Sequence, residues 1–216
     1  MNIGILGSGN VAQSLGSGLR RKGHNVMLGT SSTAKLSEWV LRNPGARVGS
    51  FADAAVFGEL VILAVKGTAA VAAVSLAGTG TLAGKTVIDA TNPIADKPPT
   101  NGVLQFFTGP NESLLEILQH KHPDIHFVKA FNSVGNAHMV DPQFAGGPPT
   151  MFIAGNDATA KAKVAALVRE LGWESADMGR AQAARAIEPL CMLWCIPGLL
   201  RNEWAHAFKL LKQNPD

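Results

Sequence analysis

Tyrosine is absent from the 216 residues, and only two cysteines, Cys191 and Cys195, are present. The first absence excludes hydride chemistry run through a Tyr–Lys pair. The second excludes a disulfide framework of the kind that holds small secreted domains together. Four apart in an apolar, helix-like stretch, the two thiols read as buried and inert rather than as metal ligands. The six histidines show no metal-ligand spacing, so no metal site is expected. Charge is also scarce, with a net +3 and a single basic cluster, Arg20-Arg21-Lys22, which reads as the exposed end of a helix. A basic stripe with interleaved aromatics is missing, which argues against nucleic acid as a partner. No uninterrupted apolar run reaches the ~18–20 residues that span a membrane. The most apolar segment, 190–200, is broken by Pro197-Gly198. The opening Met1-Asn2-Ile3-Gly4-Ile5-Leu6 has no basic region and no cleavage-like site, so no signal peptide and a soluble, cytoplasmic protein are expected.

The chain length suits one sizeable domain with a small appendage. Short apolar runs at 2–6, 24–28, 60–65, 87–90, 126–130 and 151–154 read as strands. Between them, apolar residues at helical spacing predict helices over 10–21, 32–42, 51–57, 68–76 and 158–171. The run 60–65 is apolar at every position, the mark of a strand buried on both faces. This alternation predicts an α/β fold with a doubly wound, mostly parallel sheet over 1–178. From Gly179 the pattern turns helical, interrupted at Pro189 and Pro197, and 179–216 is expected to be a helical tail carrying a dimer surface. The Pro- and Gly-rich stretch 94–110 reads as a lid or substrate loop.

Gly7-Ser8-Gly9-Asn10-Val11-Ala12 lies between the first strand and the first helix. This is the G-x-G-x-x-[GA] fingerprint of dinucleotide-binding Rossmann folds in the context that gives it meaning. Gly7 permits the tight turn, Gly9 lets backbone approach a pyrophosphate, and the helix N-terminus offers free N–H groups to it. An NAD site places an acid near the end of the second strand. Here Leu28-Gly29-Thr30-Ser31-Ser32-Thr33-Ala34-Lys35 holds hydroxyls and a lysine instead, which suits the 2′-phosphate of NADP. Ser31 and Ser32 serve equally as helix caps. Gly78-Thr79-Gly80-Thr81-Leu82-Ala83-Gly84-Lys85-Thr86 imitates a P-loop, but its spacing fails and it precedes a strand, so it reads as a turn.

In such a sheet a ligand sits beyond the carboxyl ends of the strands. Those ends carry Val65 and Lys66, then Thr91-Asn92-Pro93, then Phe131-Asn132, so Val65, Lys66, Asn92, Pro93 and Asn132 join the candidate cofactor contacts. His138 is the one histidine near such an end and the sole, weak candidate for an acid. Asp89 reads as a brace for its strand end, and Arg185 and Glu188 as a pair one helical turn apart.

Several blocks together carry a resemblance. They are 7–15, Gly29-Thr30-Ser31-Ser32 with Lys35, Leu63-Ala64-Val65, Asp89-Ala90-Thr91-Asn92-Pro93, Lys129-Ala130-Phe131-Asn132 and 151–157. In these the chain resembles the NADP oxidoreductases that depend on the 8-hydroxy-5-deazaflavin coenzyme. The Rossmann part is also similar to the cytosolic domain of six-transmembrane metalloreductases. The resemblance implies hydride transfer between NADP(H) and a deazaflavin, or a flavin-like acceptor, with no side-chain acid needed because both reacting carbons belong to cofactors. Family members often carry Arg where this chain has Ser31, while Lys35 is retained. Two other readings fit the same residues: a dinucleotide-binding sensor without turnover, and a reductase of small carbonyls or imines.

Overall fold

The computed structural model describes residues 1–213. Its strands are β1 Asn2–Leu6, β2 Asn25–Gly29, β3 Arg47–Gly49, β4 Leu60–Leu63, β5 Thr86–Asp89, β6 His126–Lys129, β7 Thr150–Gly155 and β8 Glu174–Asp177. The α-helices among the described residues are α1 Asn10–Arg21, α2 Ser37–Arg42, α3 Phe51–Phe57, α4 Ala70–Ala77, α5 Thr79–Leu82, α6 Leu114–Lys121, α7 Ala158–Glu170, α8 Ala184–Ile187 and α9 Pro189–Arg201. One sheet holds all the strands in the order β3-β2-β1-β4-β5-β6-β7-β8. The chain starts in mid-sheet, winds out through β2 to β3, then returns past β1 to β4 and runs to the other edge. The winding therefore reverses between β1 and β4, and the crevice beyond their carboxyl ends is where such sheets bind ligands. All neighbours from β3 to β6 pair in parallel.

Alternation along the central strands feeds two apolar layers. Ile62, Ile88 and Val128 point to one face, where Leu15 and Leu19 of α1 and Val164 and Leu167 of α7 cover them. Val61, Leu63, Val87 and Phe127 point to the other, under Val74 of α4 and Leu115 and Leu118 of α6. Each such side chain is fully or nearly fully buried, stabilising the fold by roughly 1.5–3 kcal/mol before conformational entropy is counted. Helix starts are marked by side chains: capping boxes join Ser50 to Asp53 and Ser113 to Glu116, and Asp157 accepts from the Ala160 N–H at 2.7 Å. α1 has no such cap and no acid in its first turn.

Several sequence expectations change. β3 and β8 were not expected; one is three residues long with an exposed Arg47, the other the polar run Glu-Ser-Ala-Asp. β7 runs antiparallel to β6, pairing Val128 with Gly155 and Lys129 with Ala154. The P-loop imitation is not only a turn, since 79–82 form the short α5. The helix expected over 32–42 divides into a 3-10 turn, Thr33–Leu36, and α2.

The tail changes most. Ala181–Arg201 is one continuous helical stretch of 21 residues that passes through both prolines. Pro189 opens α9 just after a turn at Glu188 that joins it to α8, and Pro197 leaves the Leu193 carbonyl without its usual donor. By length and mean hydropathy, 1.3, this stretch could cross a membrane, with 33% of its most apolar window buried. Ile187, Glu188, Cys191, Trp194 and Gly198 pack it on the fold. From Asn202, in left-handed conformation, the chain leaves the helix and returns without regular secondary structure rather than as the expected helix. There the Trp194 and His206 rings stack at 5.0 Å, and the Phe208 carbonyl accepts from Thr150 N–H at 2.9 Å. The last three positions of the expected tail, 214–216, lie outside the described residues.

Candidate functional site

The first turn after β1 is held shut from below. Gly7 N–H donates to the Gly29 carbonyl at 2.9 Å, and Gly7 adopts φ +148°. A Cβ on Gly7 would stand 2.2 Å from the Ala64 carbonyl oxygen, so only glycine fits. Gly9 differs: a Cβ there meets no protein atom within 4 Å. Its open side faces the crevice, beside the uncapped start of α1 with its free N–H groups and positive dipole end. Gln13 Nε2 donates to the Ser8 carbonyl at 2.9 Å and fixes the turn from the helix side.

Ser8, Gly9, Asn10 and Val11 line a cavity of about 540 Å³ together with Lys35, Ala64, Val65, Lys66 and Ala90. A second cavity of about 630 Å³ shares Val11, Val65, Lys66 and Ala90 and continues along Gly67, Thr91, Asn92 and 94–98. The two are therefore one cleft across the carboxyl ends of β1, β4 and β5, with the glycine turn at one end and the 94–98 segment of the loop at the other. Its wall carries three lysines, Lys35, Lys66 and Lys97, against one carboxylate, Asp96. Lys66 lies 3.7 Å from Asp96, but both are largely exposed, and a pair of that kind contributes only about 0–1 kcal/mol. The cleft keeps a positive balance for an anionic ligand.

The sequence candidates divide accordingly. Ser8, Gly9, Asn10, Val11, Lys35, Val65, Lys66 and Asn92 meet on the cleft wall. Thr30, Ser31 and Ser32 form the turn leading to Lys35. Thr30 Oγ1 accepts from Ser32 N–H at 3.1 Å, while the Ser31 and Ser32 hydroxyls make no hydrogen bond among the described residues, so the capping role for them is not realised. Pro93 is buried, and Asn132 stands behind the wall: Asn92 Nδ2 donates to its carbonyl at 2.8 Å. His138 lines neither cavity and packs its ring on Phe144 at 5.2 Å, so it is in no position to supply a proton to the cleft.

One charge pairing differs from the sequence expectation. Arg185 does not pair with Glu188; its guanidinium forks onto Glu116 at 2.6–3.1 Å, holding that carboxyl below the usual glutamate range. Glu188 instead turns inward to Lys129, whose Nζ lies 2.8 Å from Glu188 Oε1 and 2.6 Å from Asp89 Oδ2. Burial by itself would lower the Lys129 pKa, but the two carboxylates outweigh it and raise it above the ordinary lysine value. Asp89 braces its strand end as expected, accepting from Thr91 N–H at 2.9 Å and Thr91 Oγ1 at 2.6 Å. A lysine inside the apolar strand His-Phe-Val-Lys was the available signal, because such a cation demands a buried carboxylate nearby.

Comparison with known proteins gives the family. The family model "NADP oxidoreductase coenzyme F420-dependent" matches residues 2–93, from β1 through the Asn92 wall. A solved structure from Arthrobacter sp. FB24, a candidate F420-dependent NADP-reductase, is 33% identical, with a TM-score of 0.92 over 98% of this chain and 100% of that one. The chain belongs to the coenzyme F420-dependent NADP oxidoreductase family. It is also 31% identical over 203 residues to the metalloreductase STEAP3 of Rattus norvegicus, covering 92% of this chain but only 38% of that relative. The chain thus spans well under half the length of STEAP3. An imine reductase from Streptomyces aurantiacus, 17% identical with a TM-score of 0.69 over 93% of this chain and 63% of its own, shares the fold.

As a member of the F420-dependent family this chain is an NADP-dependent oxidoreductase, and its residues fit that cofactor. The open side of Gly9 leaves room for a pyrophosphate against uncapped N–H groups, and Lys35 lines the same cavity.

Proposed function

We propose that the chain passes a hydride between NADP(H) and a planar acceptor of deazaflavin or flavin type, seated in the cavity next to the cofactor. The observation that carries this reading is the continuity of the two cavities through Val11, Val65, Lys66 and Ala90. NADPH, when bound, supplies the hydride. The free N–H groups at the start of α1 bind its pyrophosphate, Lys35 with the Ser31 and Ser32 hydroxyls holds the 2′-phosphate, and Val11 and Val65 give the rings an apolar floor. Asn92, tied to Asn132, offers an amide wall, and Lys66 attracts an anionic acceptor. A proton donor on the wall is not required, since the hydride passes between atoms of the two ligands and the proton that completes the reduced acceptor comes from solvent.

The test is titration of purified protein with NADPH and NADH, followed by addition of the deazaflavin and then FMN. NADPH binding with steady oxidation on one acceptor supports the reading. Binding without turnover on either favours a sensor, and absence of binding sinks it. Lys35→Ala is expected to weaken NADPH about tenfold and NADH less than about twofold, the loss of one charge-assisted contact to the 2′-phosphate. Equal losses for both nucleotides would remove Lys35 from that role.

The reading includes a homodimer through α9. Leu193, Leu199 and Leu200 there are 55%, 40% and 54% exposed, beside a partly exposed Trp204. Light scattering is expected to give twice the chain mass, falling to the monomer in Leu200→Glu. A wild-type monomer would show that α9 needs no partner copy.

A further inference from the structure

We propose that the buried cluster Lys129–Asp89–Glu188 is a positioning device that pins both feet of the cleft loop, residues 93–113, and couples them to the C-terminal helix. This rests on the cofactor reading only for its binding arm. The outgoing foot is Thr91–Asn92. Thr91 is held at every polar group: its N–H and hydroxyl donate to Asp89 Oδ1, at 2.9 and 2.6 Å, and its carbonyl accepts from Lys129 Nζ at 2.9 Å. The returning foot is Leu114–Leu115, whose N–H groups donate to Glu188 Oε2 and Oε1 at 2.9 and 3.0 Å. Lys129 Nζ stands between the two carboxylates as an ion pair with each, and donates to the Thr91 carbonyl. A second thread runs beside the first: Asn132 Nδ2 donates to the Ile187 carbonyl at 2.9 Å and lies 3.3 Å from Asn92 Oδ1.

The cluster is not needed to fill space. Apolar side chains of similar volume would serve stability as well or better, so a fully buried ion cluster calls for another reason. What it does here that apolar groups cannot is fix a particular backbone geometry at two points of chain separated by the loop. Between those points lie Ile94 and Ala95, which line the acceptor end of the cleft, and the 94–106 bridge that folds the loop back. Tolerance at the outgoing foot is small, because a Cβ on Gly67 would stand 1.9 Å from the Asn92 carbonyl oxygen. The tail residue Glu188 thereby sets the wall against which the reacting end of the cofactor and its acceptor lie.

The test is amide hydrogen exchange on the full chain, wild type against Glu188→Gln, with dissociation constants for NADPH and for adenosine 2′,5′-bisphosphate. Exchange over 91–115 is expected to accelerate about tenfold or more in Glu188→Gln, with β1, β2 and α1 unchanged. NADPH should weaken about fivefold while the bisphosphate, which reaches only the Lys35 end, stays within about twofold. Thr91→Val, which removes only the hydroxyl bond to Asp89, should give a smaller acceleration over the same segment and serves if Glu188→Gln does not fold. Arg185→Ala breaks the neighbouring tie to α6 without touching the cluster and should leave Thr91–Asn92 at the wild-type rate. Uniform acceleration across the sheet, or none over 91–115, overturns the proposal, because a merely structural group would move all segments or none. If wild type binds neither nucleotide, the cofactor reading fails while the exchange result still decides this one.

Discussion

Gly9→Ala is expected to leave the protein as stable as wild type and to weaken NADPH by about tenfold or more, whereas Gly7→Ala is expected to destabilise the fold itself. The two glycines lie two residues apart in one turn, and a fingerprint treats them alike. Their surroundings differ. At Gly9 the added methyl meets no protein atom within 4 Å and lies on the cofactor side, so the folded chain accepts it and the pyrophosphate does not. Every factor of ten lost corresponds to about 1.4 kcal/mol. At Gly7 the residue must keep φ +148° with a methyl 2.2 Å from a carbonyl oxygen. Conformational strain costs about 1–3 kcal/mol there, and the backbone shift needed to relieve the overlap costs about as much again. Urea unfolding beside fluorescence titration of NADPH separates the two. A destabilised Gly9→Ala, or a Gly7→Ala of wild-type stability, would show that the turn is built otherwise.

Lys129→Met is the substitution with the largest expected effect on stability, a loss of roughly 3–5 kcal/mol. The methionine fills nearly the same volume, so little of that loss is packing. It comes from leaving Asp89 and Glu188, both almost wholly buried, without the cation between them. For a chain of this length, thermal unfolding should fall by on the order of 10 °C. The triple change Asp89→Asn, Lys129→Met, Glu188→Gln removes all three charges together and should recover a good part of the loss. A triple variant no more stable than the single one would mean that geometry, not unpaired charge, dominates.

Much of the fold was legible because parallel strands buried on both faces are written as continuous apolar runs, as in Leu60–Leu63. The glycine-turn end of the cleft was legible for a related reason: the glycine turn and the acid-free approach to Lys35 are local in sequence. What escaped was non-local or directionless. Alternation in Thr150–Gly155 reads the same whichever way the strand runs, so its antiparallel pairing with β6 left no trace. β8, a polar four-residue edge strand, is held by its partner rather than by its own side chains. Glu188 was assigned to Arg185 because helical spacing makes them neighbours. The stronger claim came from Lys129, whose need for a second carboxylate shows only once β5 and β6 stand side by side. Asn132 was expected on the cleft surface and instead stands behind Asn92, a distinction of depth that strand ends do not encode.

The wiring of Glu188 also has a consequence for how the chain matures as it is made. The sheet from β1 to β6 can be assembled once residue 129 has emerged, yet its central ammonium then has one of its two carboxylates, and the first turn of α6 has two N–H groups with nothing to receive them. Both deficits wait for Glu188, which lies well downstream of Lys129 in the chain. The glycine-turn half of the cleft can therefore take shape on the ribosome first, while its 94–98 side is closed only after residue 188 has emerged. A prematurely terminated product would hold the glycine turn but an unfinished pocket.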